Sequence, residues 1–333
     1  MTTLIAPLSR ARLGELLGQM SGKRAAVIGD VMLDRYLMGD VERISPEAPV
    51  PVLSVEEEHS TPGGAANVAA NVASIGALPL LVGALGDDDA AAVLLEAVSS
   101  FEIATDGLVR VAGRPTTTKT RIIARGQQVV RLDREVVNPL AGRHRDAVVE
   151  AAHRAVEQAD VLLLEDYDKG VLDPALIADL IAAAVQRGIP VVADPKERHF
   201  FDFAGATVFK PNRRELAGAL RTQMTGEDTE LEEARQRLQV AHLLLTLGAE
   251  GMALVSAGEA VRRTPSITRE VFDVSGAGDT VTAWVGLALA AGAGVDEAAW
   301  IANLAAGVEV GKQGTATVSP SEVLEAWERF VGA

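Results

Sequence analysis

Residues 273–280, Asp-Val-Ser-Gly-Ala-Gly-Asp-Thr, concentrate the chemistry of the chain. Two glycines and an alanine leave the backbone bare, and the apolar run 281–291 that follows carries helical periodicity, so the octet reads as a loop opening a helix. Unpaired amides at a helix N-terminus, with the positive end of the helix dipole, stabilise an anion in front of them. Asp279 in that turn is placed to take the proton of a hydroxyl attacking a phosphoryl group. In the competing reading Gly276 and Gly278 merely shape a turn and Asp279 caps the helix.

Other polar groups recur where apolar runs end. Asp30 and Asp34 follow the run 24–29. A carboxylate there can grip a sugar diol or simply satisfy loop amides. In Thr-Pro-Gly-Gly-Ala-Ala-Asn, residues 61–67, Gly63 and Gly64 let a ligand approach and Asn67 both donates and accepts; close packing of a helix on a sheet uses the same residue types. Lys169 and Lys196 follow further strand ends, where they meet phosphate or solvent. Asn212 and Glu215 stand at capping-box spacing, and the same pair suits the water shell of Mg²⁺. Thr246, Gly248 and Gly251 frame a turn that passes under a ribose or phosphate, or else closes a hairpin. Asp87, Asp88 and Asp89 read as helix capping and not as a metal cluster.

The elements that must position these groups follow from periodicity. Helical stretches 143–158 and 174–187 alternate with apolar strands 161–164, 190–193 and 207–209; strands 241–247 and 252–256 and a helix 298–310 come later. Such alternation predicts an α/β fold, a doubly wound and mostly parallel sheet with helices on both faces, whose ligands sit at the carboxyl ends of the strands. Residues 36–58 contain Pro46, Pro49 and Pro51 with alternating Val50, Val52 and Val55, and residues 116–132 alternate around Arg125-Gly126-Gln127. Both read as extended edge strands. They are expected to form a small β-sheet lid over the site, with an apolar outer side that makes the protein a homodimer. A single domain over 1–333 is expected, with a mobile start at residues 1–7.

Composition narrows the function. The 333 residues are 48% hydrophobic, enough for a large core, and contain no cysteine, which excludes disulfides, thiolate zinc sites and cysteine nucleophiles. The histidines show no metal-ligand spacing. A net charge of −15 argues against a general nucleic-acid binder but not against a locally basic pocket. No apolar run suits a membrane span, and residues 1–20 carry Arg10, Arg12 and Glu15 where a secretory leader would be apolar, so cytoplasmic residence is expected. Gly29-Asp30-Val31-Met32-Leu33 replaces the Gly-x-Gly-x-x-Gly turn of a nicotinamide-dependent dehydrogenase.

In their order, the segment from Gly63 to Asn67, Asn212-x-x-Glu215, Thr246-Leu247-Gly248-x-x-Gly251, Asp273-x-x-Gly276-Ala277-Gly278-Asp279 and Ala302-Asn303-x-Ala305-Ala306 resemble the ribokinase-like carbohydrate kinase family along nearly the whole chain. The resemblance implies ATP and Mg²⁺ as cosubstrates, with Asp279 as base and the amides of Gly276, Ala277 and Gly278 around the transferring phosphoryl group. It also implies Asn212 and Glu215 acting through water-held Mg²⁺, and Thr246, Gly248, Gly251 and Asn303 lining the nucleotide. A monovalent cation near the Asp273 loop is a further expectation. Within that family, residues 29–36 and 43–52, Asp166-Tyr167-x-Lys169, Asp194-Pro195-Lys196 and residues 311–317 look like the D-glycero-D-manno-heptose 7-phosphate kinases, which phosphorylate the anomeric hydroxyl on the way to nucleotide-activated heptose for lipopolysaccharide core. Asp30, Asp34, Gly63, Gly64, Asn67 and Asp166 are then expected on the sugar, and Arg121, Arg131 and Lys169 on its distal phosphate. A nucleotidyltransferase domain follows the kinase in many relatives, so this chain resembles the stand-alone form. The rival expectations are a kinase for a fructose-type sugar and a non-catalytic sugar-binding protein. Asp168 stands where a small residue is expected, and Lys210 where a threonine is more usual.

Overall fold

A computed structural model describes residues 3–224, 226–267, 272–312 and 314–331. In chain order its strands are β1 Thr3–Leu4, β2 Arg24–Gly29, β3 Val31–Ile44, β4 Pro51–Gly64, β5 Leu78–Leu85, β6 Leu108–Arg110, β7 Thr118–Ala124, β8 Gln127–Arg134, β9 Val161–Glu165, β10 Val191–Asp194, β11 Val208–Phe209, β12 His242–Thr246, β13 Met252–Ser256 and β14 Arg262–Thr264. The helices are α1 Arg10–Met20, α2 Ala65–Ser74, α3 Asp89–Ser99, α4 Gly142–Gln158, α5 Pro174–Arg187, α6 Arg213–Leu220, α7 Asp228–Leu238, α8 Ala277–Ala290, α9 Val295–Glu309 and α10 Pro320–Phe330. None is long and apolar enough to cross a membrane among the described residues.

Ten strands form one sheet in the order β1-β14-β13-β12-β11-β10-β9-β2-β5-β6. It is parallel from β12 through β6 and antiparallel only at β12–β13 and β13–β14. The doubly wound expectation holds. β9 shows why: all five residues are buried, Val161 and Leu163 in one core with α8 and α9, Leu162 and Leu164 in the other with α4 and α5. A strand covered on both faces is apolar throughout. Gly286 lets α8 lie on β9, because a Cβ there would come within 2.4 Å of Leu163 Cδ2. The acidic run before α3 is a cap, with Asp88 accepting from the Ala91 amide. Residues 3–4, expected to be mobile, instead pair with β14, which completes the ladder of an edge strand.

The second sheet, β4-β3-β7-β8, grows directly out of the first. β3 starts at Val31, immediately after Asp30, and pairs antiparallel with β4 and parallel with β7. Its first hairpin therefore begins before residue 36 and ends beyond 58, and Pro46 and Pro49 sit in the turn between the strands, where no ladder bond is required. Arg125 (φ 51°) and Gly126 (φ 75°) close β7–β8, the left-handed pair that a two-residue hairpin favours.

Candidate active site

The loop at the head of α8 points at the carboxyl ends of the parallel strands. Gly276 takes φ 97° as N-cap and no side chain caps the helix, so Asp279 is not spent on that task. Its Oδ2 accepts from Asn67 Nδ2 at 2.7 Å and its Oδ1 from the Tyr167 hydroxyl at 2.6 Å. Asn67 comes from α2 and Tyr167 from the loop after β9, so three elements converge on one carboxylate. Burial pushes Asp279 up to about 6, against the pull of these two hydrogen bonds. Such a group is ionised yet basic at neutral pH. Tyr167 was not singled out from the sequence; its only signal was its place between Asp166 and Lys169.

Behind the loop, carboxylate oxygens of Glu165, Asp194 and Asp279 lie within 4.8 Å of one another, all buried. Three such charges repel, and burial together with Asp194 and Asp279 drives Glu165 well above the usual carboxylate range. Lys210 supplies the counter-charge: its Nζ is 2.9 Å from Asp194 Oδ2. Burial works against its ammonium, and Asp194 and Glu165 outweigh it. A Cβ on Gly278 would be 3.4 Å from that Nζ, so the cation rests against the anion-binding loop. The departure from threonine at position 210 thus places a positive charge beside the place where a phosphoryl group would sit.

On one side of Asp279 opens a cavity of about 310 Å³. Asn212, Thr246, Gly248, Gly251 and Asn303 line it together with Ala277 and Gly278. The turn after β12 is both a hairpin and a wall of this cavity. Asn303 is held by its Nδ2, which donates to Pro265 O at 2.9 Å. Asn212 and Glu215 form the reciprocal capping box, each accepting at 2.9 Å from the other's amide, and the remaining Glu215 oxygen pairs with Lys196. Asn212 thus lines the cavity while Glu215, standing behind it, has both oxygens engaged, by the Asn212 amide and by Lys196.

The small sheet closes the other side. Asp34 is buried and accepts from Arg121 Nη1 at 2.6 Å. Arg121 stacks 5.3 Å from the Tyr36 ring centre, and Lys119, two residues away on the same face of β7, lies 5.8 Å from the ring centre of Tyr167. Lys169 Nζ meets Glu135 at 3.0 Å. Arg131 pairs across the strands with Arg121 but is half exposed and bound by Asp133, so it stands at the rim. Lys119 escaped the sequence reading although the alternation that exposed Arg121 carries it too. The glycines make room for their neighbours: a Cβ at Gly63 would be 2.4 Å from Asp34 Oδ2, and one at Gly64 the same distance from the Asp30 backbone carbonyl.

Two residues expected on the sugar are engaged elsewhere. Asp30 accepts from the amides of Tyr167 (2.8 Å), Lys169 (2.9 Å) and Val171 (3.1 Å), the loop-satisfying alternative raised by its position. Asp166 is buried, with Oδ1 taken by the Asp168 amide at 2.8 Å. Strand alternation turns Glu165 toward α8 and Asp166 away from it. At the far side of the loop, Asp273 Oδ1 accepts from Ser275 N at 2.9 Å, and buried Glu309 lies near Gly276. Burial, with Asp279 and Asp273 adding, pushes Glu309 up to about 8.

Comparison with known proteins agrees with this geometry. The profile described as pfkB family carbohydrate kinase matches residues 23–322. The chain is 47% identical over 307 residues to the "Bifunctional protein HldE" of Azorhizobium caulinodans and 42% identical over 320 residues to that of Geobacter sulfurreducens, covering 91% and 95% of itself. It spans 64% and 65% of those proteins' lengths. Among solved structures, Arabidopsis thaliana ribokinase complexed with ribose and ATP superimposes with a TM-score of 0.73 at 22% identity, covering 92% of this chain and 98% of that one. Escherichia coli phosphofructokinase-2 in complex with potassium gives 0.73 at 18%, covering 93% and 99%. The chain therefore belongs to the pfkB family of carbohydrate kinases.

Proposed function

We propose that the chain transfers the γ-phosphoryl group of ATP to O1 of D-glycero-D-manno-heptose 7-phosphate, releasing ADP and the 1,7-bisphosphate. The observation that carries this reading is the position of Asp279, between a cavity lined by the nucleotide-side residues and a basic, acid-bearing face built by the small sheet. The O1 proton passes to Asp279 as O1 forms its bond to phosphorus and the bond to the ADP oxygen breaks. The amides of Gly276, Ala277 and Gly278 and the Lys210 ammonium face the equatorial oxygens, where negative charge spreads. Asn212 and Glu215 would hold Mg²⁺ through its waters, and the ion would supply positive charge to the phosphate oxygens. Asp34 and Asn67 orient the sugar, while Lys119, Arg121 and Lys169 receive its distal phosphate, with Arg131 at the rim.

A monovalent cation beside Asp273 would add to Lys312 and the Ala316 amide in offsetting the charge of buried Glu309. The small sheet acts as a lid, and its exposed Ile44, Val55, Val129 and Leu132 support a homodimer through it. The deciding experiment is phosphorus NMR of the product from ATP with heptose 7-phosphate, run beside fructose 6-phosphate. A new anomeric phosphate resonance from the heptose is expected; faster turnover of the fructose ester would transfer the assignment to a fructose-type substrate, and no ADP from either would leave a binding protein.

A further inference from the structure

Asp168, the acid that stands where a small residue is expected, falls in a second cluster away from α8. One carboxylate oxygen each of Asp166 and Asp168 and one ring nitrogen of His199 lie within 4.8 Å of one another. Asp166 and His199 are both buried, at 1% and 8% exposure. The Asp166 carboxylate is half used: Oδ1 accepts from the Asp168 amide, while Oδ2 is buried with no hydrogen-bond partner. A buried carboxylate oxygen left unpaired, with another carboxylate beside it, is unfavourable unless a cation or a proton intervenes. The Asp168 carboxylate accepts from one backbone amide, that of Arg198, at 3.3 Å to Oδ1 and 3.4 Å to Oδ2. His199 Nδ1 faces Asp202 Oδ2 at 3.3 Å, which leaves Nε2 as the available nitrogen. A carboxylate behind an imidazole is the arrangement that orients metal-binding histidines and raises their basicity.

We infer that Asp166 Oδ2, the Asp168 carboxylate and His199 Nε2 form a binding site for a divalent transition ion of the zinc type, separate from any metal that accompanies the nucleotide. Two carboxylates and an imidazole are a zinc-class donor set with a fourth position left for water, whereas Mg²⁺ disfavours imidazole. The ion would join the loop after β9 to the loop after β10, the segments that carry Lys169 and Lys196. Sequence spacing concealed it because His199 lies on a different loop from the two acids.

The test titrates the nucleotide-free whole chain with Co²⁺ in excess Mg²⁺, reading visible absorption, then displaces it with Zn²⁺ and follows the melting temperature. The wild type is expected to take up a single Co²⁺, to release it to Zn²⁺ and to melt higher with Zn²⁺ present. Asp168→Gly, which suits the φ of 58° at that position, and His199→Asn are each expected to weaken uptake by at least about tenfold. They lie on different loops, so if one fails to fold by circular dichroism the other still reads the site. No uptake by the wild type at equimolar metal would overturn the proposal and leave a proton on Asp166; undiminished uptake in either folded variant would overturn it equally.

Discussion

Asp279 owes its chemistry to two neighbours that pull against its burial. The Tyr167 hydroxyl and the Asn67 amide each favour the charged carboxylate, and the enclosed site disfavours it, so the group settles at about 6. Asp279→Asn is expected to lower kcat by roughly 10²–10⁴ with little change in ATP affinity, measured by steady-state kinetics and nucleotide titration. Equal loss of both would make the residue structural. Because the base must be deprotonated, kcat/KM should rise with pH through about 6 and then level. Tyr167→Phe removes a donor that favours the ionised form, so the rising limb should move to higher pH; an unmoved limb would detach Tyr167 from the titration. The place of Asp279 behind a bare loop at a helix start was legible in the sequence because Gly-Ala-Gly-Asp ahead of an apolar helix is a local pattern. The Tyr167 contact and the counter-charge role of Lys210 were not, because each depends on a partner that only the fold brings near, whereas Lys119 was passed over although the alternation carries it.

At the scale of elements, register decides what the small sheet can hold. Pairing Asp34 with Lys119 and Tyr36 with Arg121 across β3 and β7 lays acid, aromatic and basic groups on one face of the small sheet. A shift of one residue would turn all of them away. Arg121→Ala is expected to raise KM for the phosphosugar by roughly 10–100-fold, the loss of a hydrogen bond to a charged group, and to leave KM for ATP nearly unchanged. A matched rise in both would mean that the variant has disturbed the sheet itself. The strand limits were the least legible part: β3 follows Asp30 directly, and of the prolines that suggested strand texture Pro46 and Pro49 lie in the turn while Pro51 opens β4. β1, β6 and β14, two or three residues each, have no periodicity to read.

Seen as a whole, the molecule combines an acidic total charge with a basic cleft and leaves apolar side chains bare on the small sheet. If two copies cover that surface, Val129→Glu combined with Leu132→Glu should yield monomers by sedimentation velocity while the melting temperature holds. Monomeric wild type would remove the interface. The order of α/β elements was legible because both periodicities are strong, whereas the meeting of α2, α8 and the loop after β9 belongs to the fold alone. Asp30 gives that meeting a mechanical sense. One acid accepts from the peptide nitrogens of Tyr167, Lys169 and Val171, so the residue bonded to Asp279 and the proposed anchor of the far phosphate belong to a single stiff hook. Tension applied at one barb is felt at the other. A heptose stripped of its 7-phosphate should accordingly react slowly even at saturation, a deficit in kcat and not only in KM, since anchoring by a remote group is here converted into alignment at the reacting oxygen.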